Sequence, residues 1–275
     1  MKTAFKILPQ LQHEESFHLI VEVGADTLSL VYFTKEPLCI QALYVHHIDK
    51  NTPPSQLAEE LEEYFRTETL PGQLSCHICY NFKECTPIPA VYFKQGNLTE
   101  MMDVLYGENK KATSSAEVVK GMDMALGYRA NTEIDALLQS RFPGAVTHHS
   151  LALQIAALSK EQDGLFCSIY QHSIKVVLFK NGVLQIARFF DYATPSDVAY
   201  HLLNVCAQHE VSPAIGRLVL SGFIDQKSNL YEELHRYFLN IELYEVAGPV
   251  TTAQAVSQYP VHFFSPLTLL ATCVS

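Results

Sequence analysis

The chain has 275 residues, 48% of them apolar and 17% charged, which excludes a disordered chain and allows one large domain or two medium ones with real cores. Its formal net charge is −10 and Lys110-Lys111 is its longest basic cluster, so nucleic acid is not an expected partner. Residues 1–17 (MKTAFKILPQLQHEESF) lack the apolar core of a signal peptide, and no run approaches the roughly 20 apolar residues of a membrane span, so a cytoplasmic chain is expected.

Residues 18–43, HLIVEVGADTLSLVYFTKEPLCIQAL, read as strand, tight turn, strand, turn, strand, with Glu22 and Gly24 in the first turn. The third strand is expected over Leu38–His46. A helix follows in NTPPSQLAEELEEYF, with Thr52 as its N-cap and proline in the first turn, where a missing N–H is harmless. Leu57, Leu61, Tyr64 and Phe65 share one face of it. Residues 73–82 (QLSCHICYNF) form the fourth strand. A helix crossing between strands implies a parallel pairing beside the antiparallel meander. Cys76-His77-Ile78-Cys79 resembles a metal knuckle, but residues three apart in a strand point to opposite faces. Most of the seven cysteines lie in apolar patterns and are read as reduced and buried.

Residues 83–145 are expected as an inserted or subdomain segment. PIPAVYF reads as an extended edge, 97–107 as a short helix, 116–130 as a hairpin, and 131–144 as a helix ending before Pro143-Gly144. A further helix is expected at 150–161. His46-His47 and His148-His149 are adjacent in strand patterns, so each pair offers only one ligand to any site. They are expected at the surface or between lobes.

From residue 165 the punctuation repeats. TLSLVYF (27–33) matches SIKVVLF (173–179), Asn181-Gly182 is a strong hairpin signal, and a third strand is expected over Leu184–Phe190. ATPSDVAYHLLNVCAQH makes the matching helix, with Thr194 as N-cap and Val198, Leu202, Val205 and Cys206 on its apolar face. Residues 217–224 (RLVLSGFI) make the fourth strand. A helix over Leu230–Leu239, a strand near Ile241–Val246 and a helix near Pro266–Cys273 complete the chain. The order strand, strand, strand, helix, strand is thus written twice, an internal duplication in an α/β protein with two mixed sheets flanked by helices.

This ground plan resembles the actin-like ATPase (ribonuclease H-like) fold, whose members include actin, sugar kinases and the type IV pilus assembly and cell-division actin homologues. The whole chain also resembles one bacterial family of unknown function with this fold. The residues that carry it are the Val21–Phe33 hairpin, Phe142-Pro143-Gly144-Ala145, and Leu202-Leu203-Asn204-Val205-Cys206. The resemblance implies two actin-like lobes, 1–160 and 161–275, with a cleft between them. In active members that cleft holds ATP and magnesium. The first hairpin of each half presents Asp-x-Gly to the phosphates and the ion, and a double glycine after a late strand admits the adenosine. Carried over to this chain, it places a remnant nucleotide site at Glu22, Gly24, Asp26, Thr27 and Gly222.

The chain departs from that pattern at each place. Glu22 stands for the expected aspartate, and its extra methylene moves the carboxylate in a magnesium shell that tolerates little distortion. Tyr170-Gln171-His172-Ser173 has no glycine and no carboxylate. In Leu220-Ser221-Gly222-Phe223 a bulky ring replaces the second glycine. The expectation is a non-catalytic pseudo-ATPase, without catalytic or metal-binding residues, that acts as a scaffold for an unidentified protein partner. An ATP-binding switch, ATPase or kinase with a divergent phosphate site is the alternative. A ribonuclease H-type nuclease would need carboxylates converging on two metals. Glu22 and the run from Glu59 to Glu63 are the candidates, but no carboxylate occupies the last position, and the run reads as a solvated helix face. A filament-forming protein is the third class, set aside because polymerising relatives couple assembly to nucleotide.

Overall fold

The computed structural model describes residues 1–8, 17–49, 51–68, 70, 72–248 and 250–275; residues 9–16 of the N-terminal segment read above lie outside them. Runs of β-branched and aromatic residues between turns become strands, and 3.6-periodic stretches become helices. The strands are β1 (Lys2–Ile7), β2 (Phe17–Gly24), β3 (Thr27–Lys35), β4 (Leu38–His47), β5 (Gln73–Asn81), β6 (Cys85–Pro89), β7 (Ala112–Val118), β8 (Met124–Asn131), β9 (Val146–His149), β10 (Gly164–Ile169), β11 (Ser173–Lys180), β12 (Val183–Asp191), β13 (Arg217–Gly222), β14 (Asn240–Leu243) and β15 (Thr251–Thr252). The helices are α1 (Pro54–Thr67), α2 (Leu98–Tyr106), α3 (Thr132–Arg141), α4 (Ser150–Leu158), α5 (Pro195–Gln208), α6 (Asn229–His235) and α7 (Val261–Val274). Among the described residues no helix is long and apolar enough to cross a membrane.

The chain divides into two compact units. The first comprises Met1–Leu153, Gly248–Gln258 and Leu270–Ser275, and the second Gln154–Ala247 and Tyr259–Leu269. The sheet of the first unit has the order β1-β4-β3-β2-β5-β9, with β15 also pairing with β4. β2, β3 and β4 form an antiparallel meander, and β5 lies parallel to β2. Leu19, Ile20, Val21 and Val23 are fully buried, as a central strand covered on both faces requires. α1 turns Leu57, Leu61 and Phe65 inward, and the Phe65 ring meets Phe142 edge-on at 5.3 Å. A second, three-stranded antiparallel sheet of order β6-β8-β7 packs α2 over Ile88, Leu98 and Met102.

The sheet of the second unit has the order β12-β11-β10-β13-β14. Its meander is antiparallel and β13 lies parallel to β10, the order of the first sheet's β2 to β5. Each meander carries a register shift at the same place, between Tyr32 and Phe33 and between Leu178 and Phe179. Asn181 and Gly182 have φ of 55° and 70°, the positive pair that a tight hairpin demands. α5 buries Val198, Ala199, Leu202, Val205 and Cys206 against this sheet.

Several expectations need correction. Gly24 is the last residue of β2 and Glu22 lies inside that strand, so the turn is Ala25-Asp26. The N-cap of α1 is Pro53, with no side-chain cap; the Thr52 N–H is bonded to the Asp49 carbonyl in the preceding turn. Thr194 does cap α5, within a capping box closed by Asp197. α6 stops at His235, and α7 starts at Val261, with Pro266 inside it. PIPAVYF is strand only to Pro89 and then a single 3₁₀ turn. Beside the two expected mixed sheets stands a third, antiparallel one.

Candidate functional site

Parallel strands of an α/β sheet gather their C-terminal ends at one edge, where backbone amides and helix starts favour ligands. In the first unit β2, β5 and β9 end there at Gly24, Asn81 and His149. Gly24 pairs in register with Asn81, and a Cβ added to it would lie 3.0 Å from the Asn81 carbonyl oxygen. Close strand approach is thus one demand this glycine meets. Glu22 is buried on β2, in register with Ser29 and Cys79. Asp26 is buried in the turn and Thr27 at the start of β3; the Thr27 hydroxyl donates to Asp26 Oδ1 at 3.3 Å, and the Asp26 carbonyl accepts the Ile48 N–H at 2.9 Å. These four residues share one hairpin.

Beside them stand Asn81 and Ser150, which sequence reasoning missed, and His149, which it weighed only as one of a histidine pair. Ser150 Oγ donates to Asn81 Oδ1 at 2.5 Å. His149 is fully buried; its Nδ1 accepts the Leu151 N–H at 3.2 Å, so Nε2 carries the hydrogen and donates to the Phe82 carbonyl at 3.0 Å. Polar residues that close apolar runs were the available signal.

Gly222 belongs to the second unit, at the end of β13. Its φ is +83°, and an added Cβ would lie 2.2 Å from the Ile169 carbonyl oxygen, which also accepts the Phe223 N–H at 2.9 Å. Packing on β10 therefore requires this glycine, whatever else it does. In the turn before β11 the Tyr170 N–H donates to the Ser173 carbonyl at 2.9 Å, and Tyr192 Oη donates to the Tyr170 carbonyl at 2.7 Å. A buried polar row crosses the same sheet. Ser168 pairs with Lys175 and Ser221, Ser221 Oγ donates to Ser168 Oγ at 2.9 Å, and Gln154 Nε2 does so at 3.1 Å. Lys175 is buried, with its Nζ 5.4 Å from the Tyr170 ring centre and 5.7 Å from that of Phe189. A lone cation in SIKVVLF was the signal for it.

A cavity of about 230 Å³ opens in the first unit, lined by Ala25, Leu57, Glu84, Arg129, Asn131 and Ile134 among others. Arg129 is buried there and held by Glu84 at 3.2 Å, by Asp103, and by the Gly107 carbonyl at 2.8 Å. The exposed Val91, Tyr92, Val104 and Leu105 belong to the same three-stranded segment. A second cavity, of about 280 Å³, lies in the second unit, with Asp163, Lys180, Ile215 and Arg217 among its lining residues.

Cys76 and Cys79 are both buried on β5, and burial pushes the Cys76 thiol up to about 12. The expectation of surface or inter-lobe histidines fails for one member of each pair, while His47 and His148 stay partly exposed. His46 and His149 are buried inside the first unit, because imidazoles can be satisfied there: His46 sits between Thr3 Oγ1 at 3.2 Å and the Tyr64 hydroxyl at 3.0 Å. His148 lies 2.7 Å from Glu117 and 3.3 Å from His77, whose pKa is lowered to about 4, above all by burial.

Comparison with solved structures places the fold. A Bacteroides thetaiotaomicron protein with an actin-like ATPase fold and unknown function superposes with a TM-score of 0.78 at 18% identity, over 94% of this chain and 97% of that one. The PilM-PilN type IV pilus biogenesis complex gives 0.57 at 14% identity, over 96% and 100%. The ethanolamine utilization protein EutJ from Carboxydothermus hydrogenoformans gives 0.50 at 9%, over 96% and 92%. The fold is therefore the actin-like ATPase fold. No curated protein matches the chain. Residues 9–241 match the family described as "Protein of unknown function (DUF3822)", and the chain belongs to that family.

Proposed function

We propose that this chain is a non-catalytic actin-fold protein, a pseudo-ATPase of the bacterial cytoplasm that acts as a scaffold by binding another protein. One observation carries the reading: the turn of the second unit that matches the phosphate hairpin of active relatives, Tyr170-Gln171-His172-Ser173, offers neither a glycine for close backbone approach nor a carboxylate for a hydrated magnesium. Three others support it. Glu22 is buried inside a strand instead of standing at a turn, Phe223 follows Gly222, and Gly222 is already required by packing on Ile169. The matching order and register shift of the two meanders support an internal duplication, with lobes near 1–160 and 161–275, from which the nucleotide chemistry has been lost. A fold relative solved as the PilM-PilN complex supports a protein partner. The Arg129 cavity and the exposed apolar residues of 91–105 are the surface we assign to that partner.

The alternative, an ATP-binding switch, is favoured by one feature: Gly24, Asp26 and Thr27 stand together where β2 ends. The test is steady-state ATP hydrolysis by the purified chain with magnesium. The expected result is no turnover above the buffer rate. Turnover that disappears in Glu22→Ala, with the variant still folded by circular dichroism, would overturn the proposal.

A further inference from the structure

On one face of the large sheet, His77 of β5 and His148 of β9 bring ring nitrogens together. His77 Nδ1 and His148 Nε2 are 3.3 Å apart, with the rings 23° from parallel. The other nitrogen of His148, Nδ1, lies 2.7 Å from Glu117 Oε1 on β7, and Oε2 of the same carboxylate accepts the His149 N–H at 2.7 Å. A carboxylate on Nδ1 keeps the hydrogen there and turns the Nε2 lone pair toward His77. The two facing nitrogens are within hydrogen-bond distance, with His77 Nδ1 the donor when His148 carries its hydrogen on Nδ1. A tetrahedral ion with metal–nitrogen bonds of about 2.0–2.1 Å holds two ligand nitrogens about 3.3–3.4 Å apart. The nitrogen spacing therefore fits an ion held beside the line between them, reached without spreading β5 from β9 once each ring turns to aim its lone pair there and the hydrogen of the contact moves to His77 Nε2. His148 and Glu117 keep 18% and 19% of their side-chain surface exposed, which leaves a route in from solvent.

We propose that His77 and His148 form a two-histidine site for a divalent transition-metal ion, of which zinc is the type, supported by Glu117. Among the described residues no group of three or more His, Cys, Asp and Glu side chains is placed to hold a metal, so the remaining positions fall to water. Imidazole donors select borderline ions of the zinc class over magnesium.

The test is calorimetric titration of the chelator-treated full chain with zinc chloride, and with magnesium chloride in parallel. One zinc per chain and no magnesium binding are expected. His77→Gln and His148→Gln should each weaken zinc binding at least tenfold, and Glu117→Gln, which leaves both ligands in place, by roughly tenfold or more. Circular dichroism and the melting midpoint confirm that each variant is folded. No zinc binding by the wild type, unchanged affinity in His77→Gln and His148→Gln, or equal affinity for magnesium would each overturn the proposal.

Discussion

At the scale of single residues, packing accounts for positions that also belong to a nucleotide-site pattern. Gly222 combines a φ of +83° with 2.2 Å between its virtual Cβ and the Ile169 carbonyl. Gly222→Ala is expected to cost roughly 2–4 kcal/mol of stability, read from urea unfolding, because the contact is with backbone that cannot step aside. A cost below about 0.5 kcal/mol would show that packing on Ile169 does not require this glycine. His46 adds a pH dependence. Burial lowers its pKa from the ordinary 6.5, with smaller opposing and assisting charges around it. The unfolded chain takes up a proton near pH 6.5 and the native chain only at lower pH, so stability is lost as pH falls below about 6.5. The melting midpoint should therefore drop more between pH 7 and pH 5 in the wild type than in His46→Gln. Equal drops would show that His46 carries none of the dependence.

At the scale of elements, the two meander helices separate what local sequence decides from what it does not. Thr194 and Asp197 close a capping box: the Asp197 N–H donates to Thr194 Oγ1 at 3.3 Å, and the Thr194 N–H to Asp197 Oδ2 at 2.8 Å. Backbone N–H groups of Ala193 and Thr194 hold the Asp197 carboxyl below the usual carboxylate range. Thr194→Ala should cost about 1 kcal/mol in urea unfolding, whereas Thr52→Ala, where no side-chain cap exists, should stay within about 0.5 kcal/mol. Equal costs would contradict the difference seen at the two helix starts. The Thr-Pro signal was the same in both sequences, and only the second has an acidic residue at the third helical position to close the box. The meanders, the parallel crossings and the Asn181-Gly182 turn were legible because hairpin punctuation and alternation are local. β1, β15 and the extent of α7 were not: short edge strands owe their existence to a distant partner strand, and Pro266 reads as a helix start when tertiary packing lets it sit inside one. Glu22 and Gly24 were found in sequence, but not that Glu22 is buried within β2. Asn81, Ser150 and Lys175 were missed because their neighbours come from strands far apart in the chain.

At the scale of the whole molecule, the fold is the actin-like ATPase fold, and the residues that the proposed function reads as a remnant phosphate site meet demands of packing. The turn Tyr170-Gln171-His172-Ser173 contains no glycine, Gly222 is held by strand packing, and Glu22 is buried in a strand. The fold and the family follow from the comparisons; the pseudo-ATPase scaffold is the reading that these residues support. It is tested most directly by the melting midpoint of the purified chain with and without millimolar Mg·ATP, alongside Mg·ADP and magnesium alone. A ligand at 100 times its dissociation constant stabilises a protein by about 2.7 kcal/mol, which for a chain of this size is a rise of several degrees. No rise with Mg·ATP beyond the magnesium control is expected. A reproducible rise of several degrees with ATP, absent with magnesium alone, would contradict it and establish a working nucleotide site.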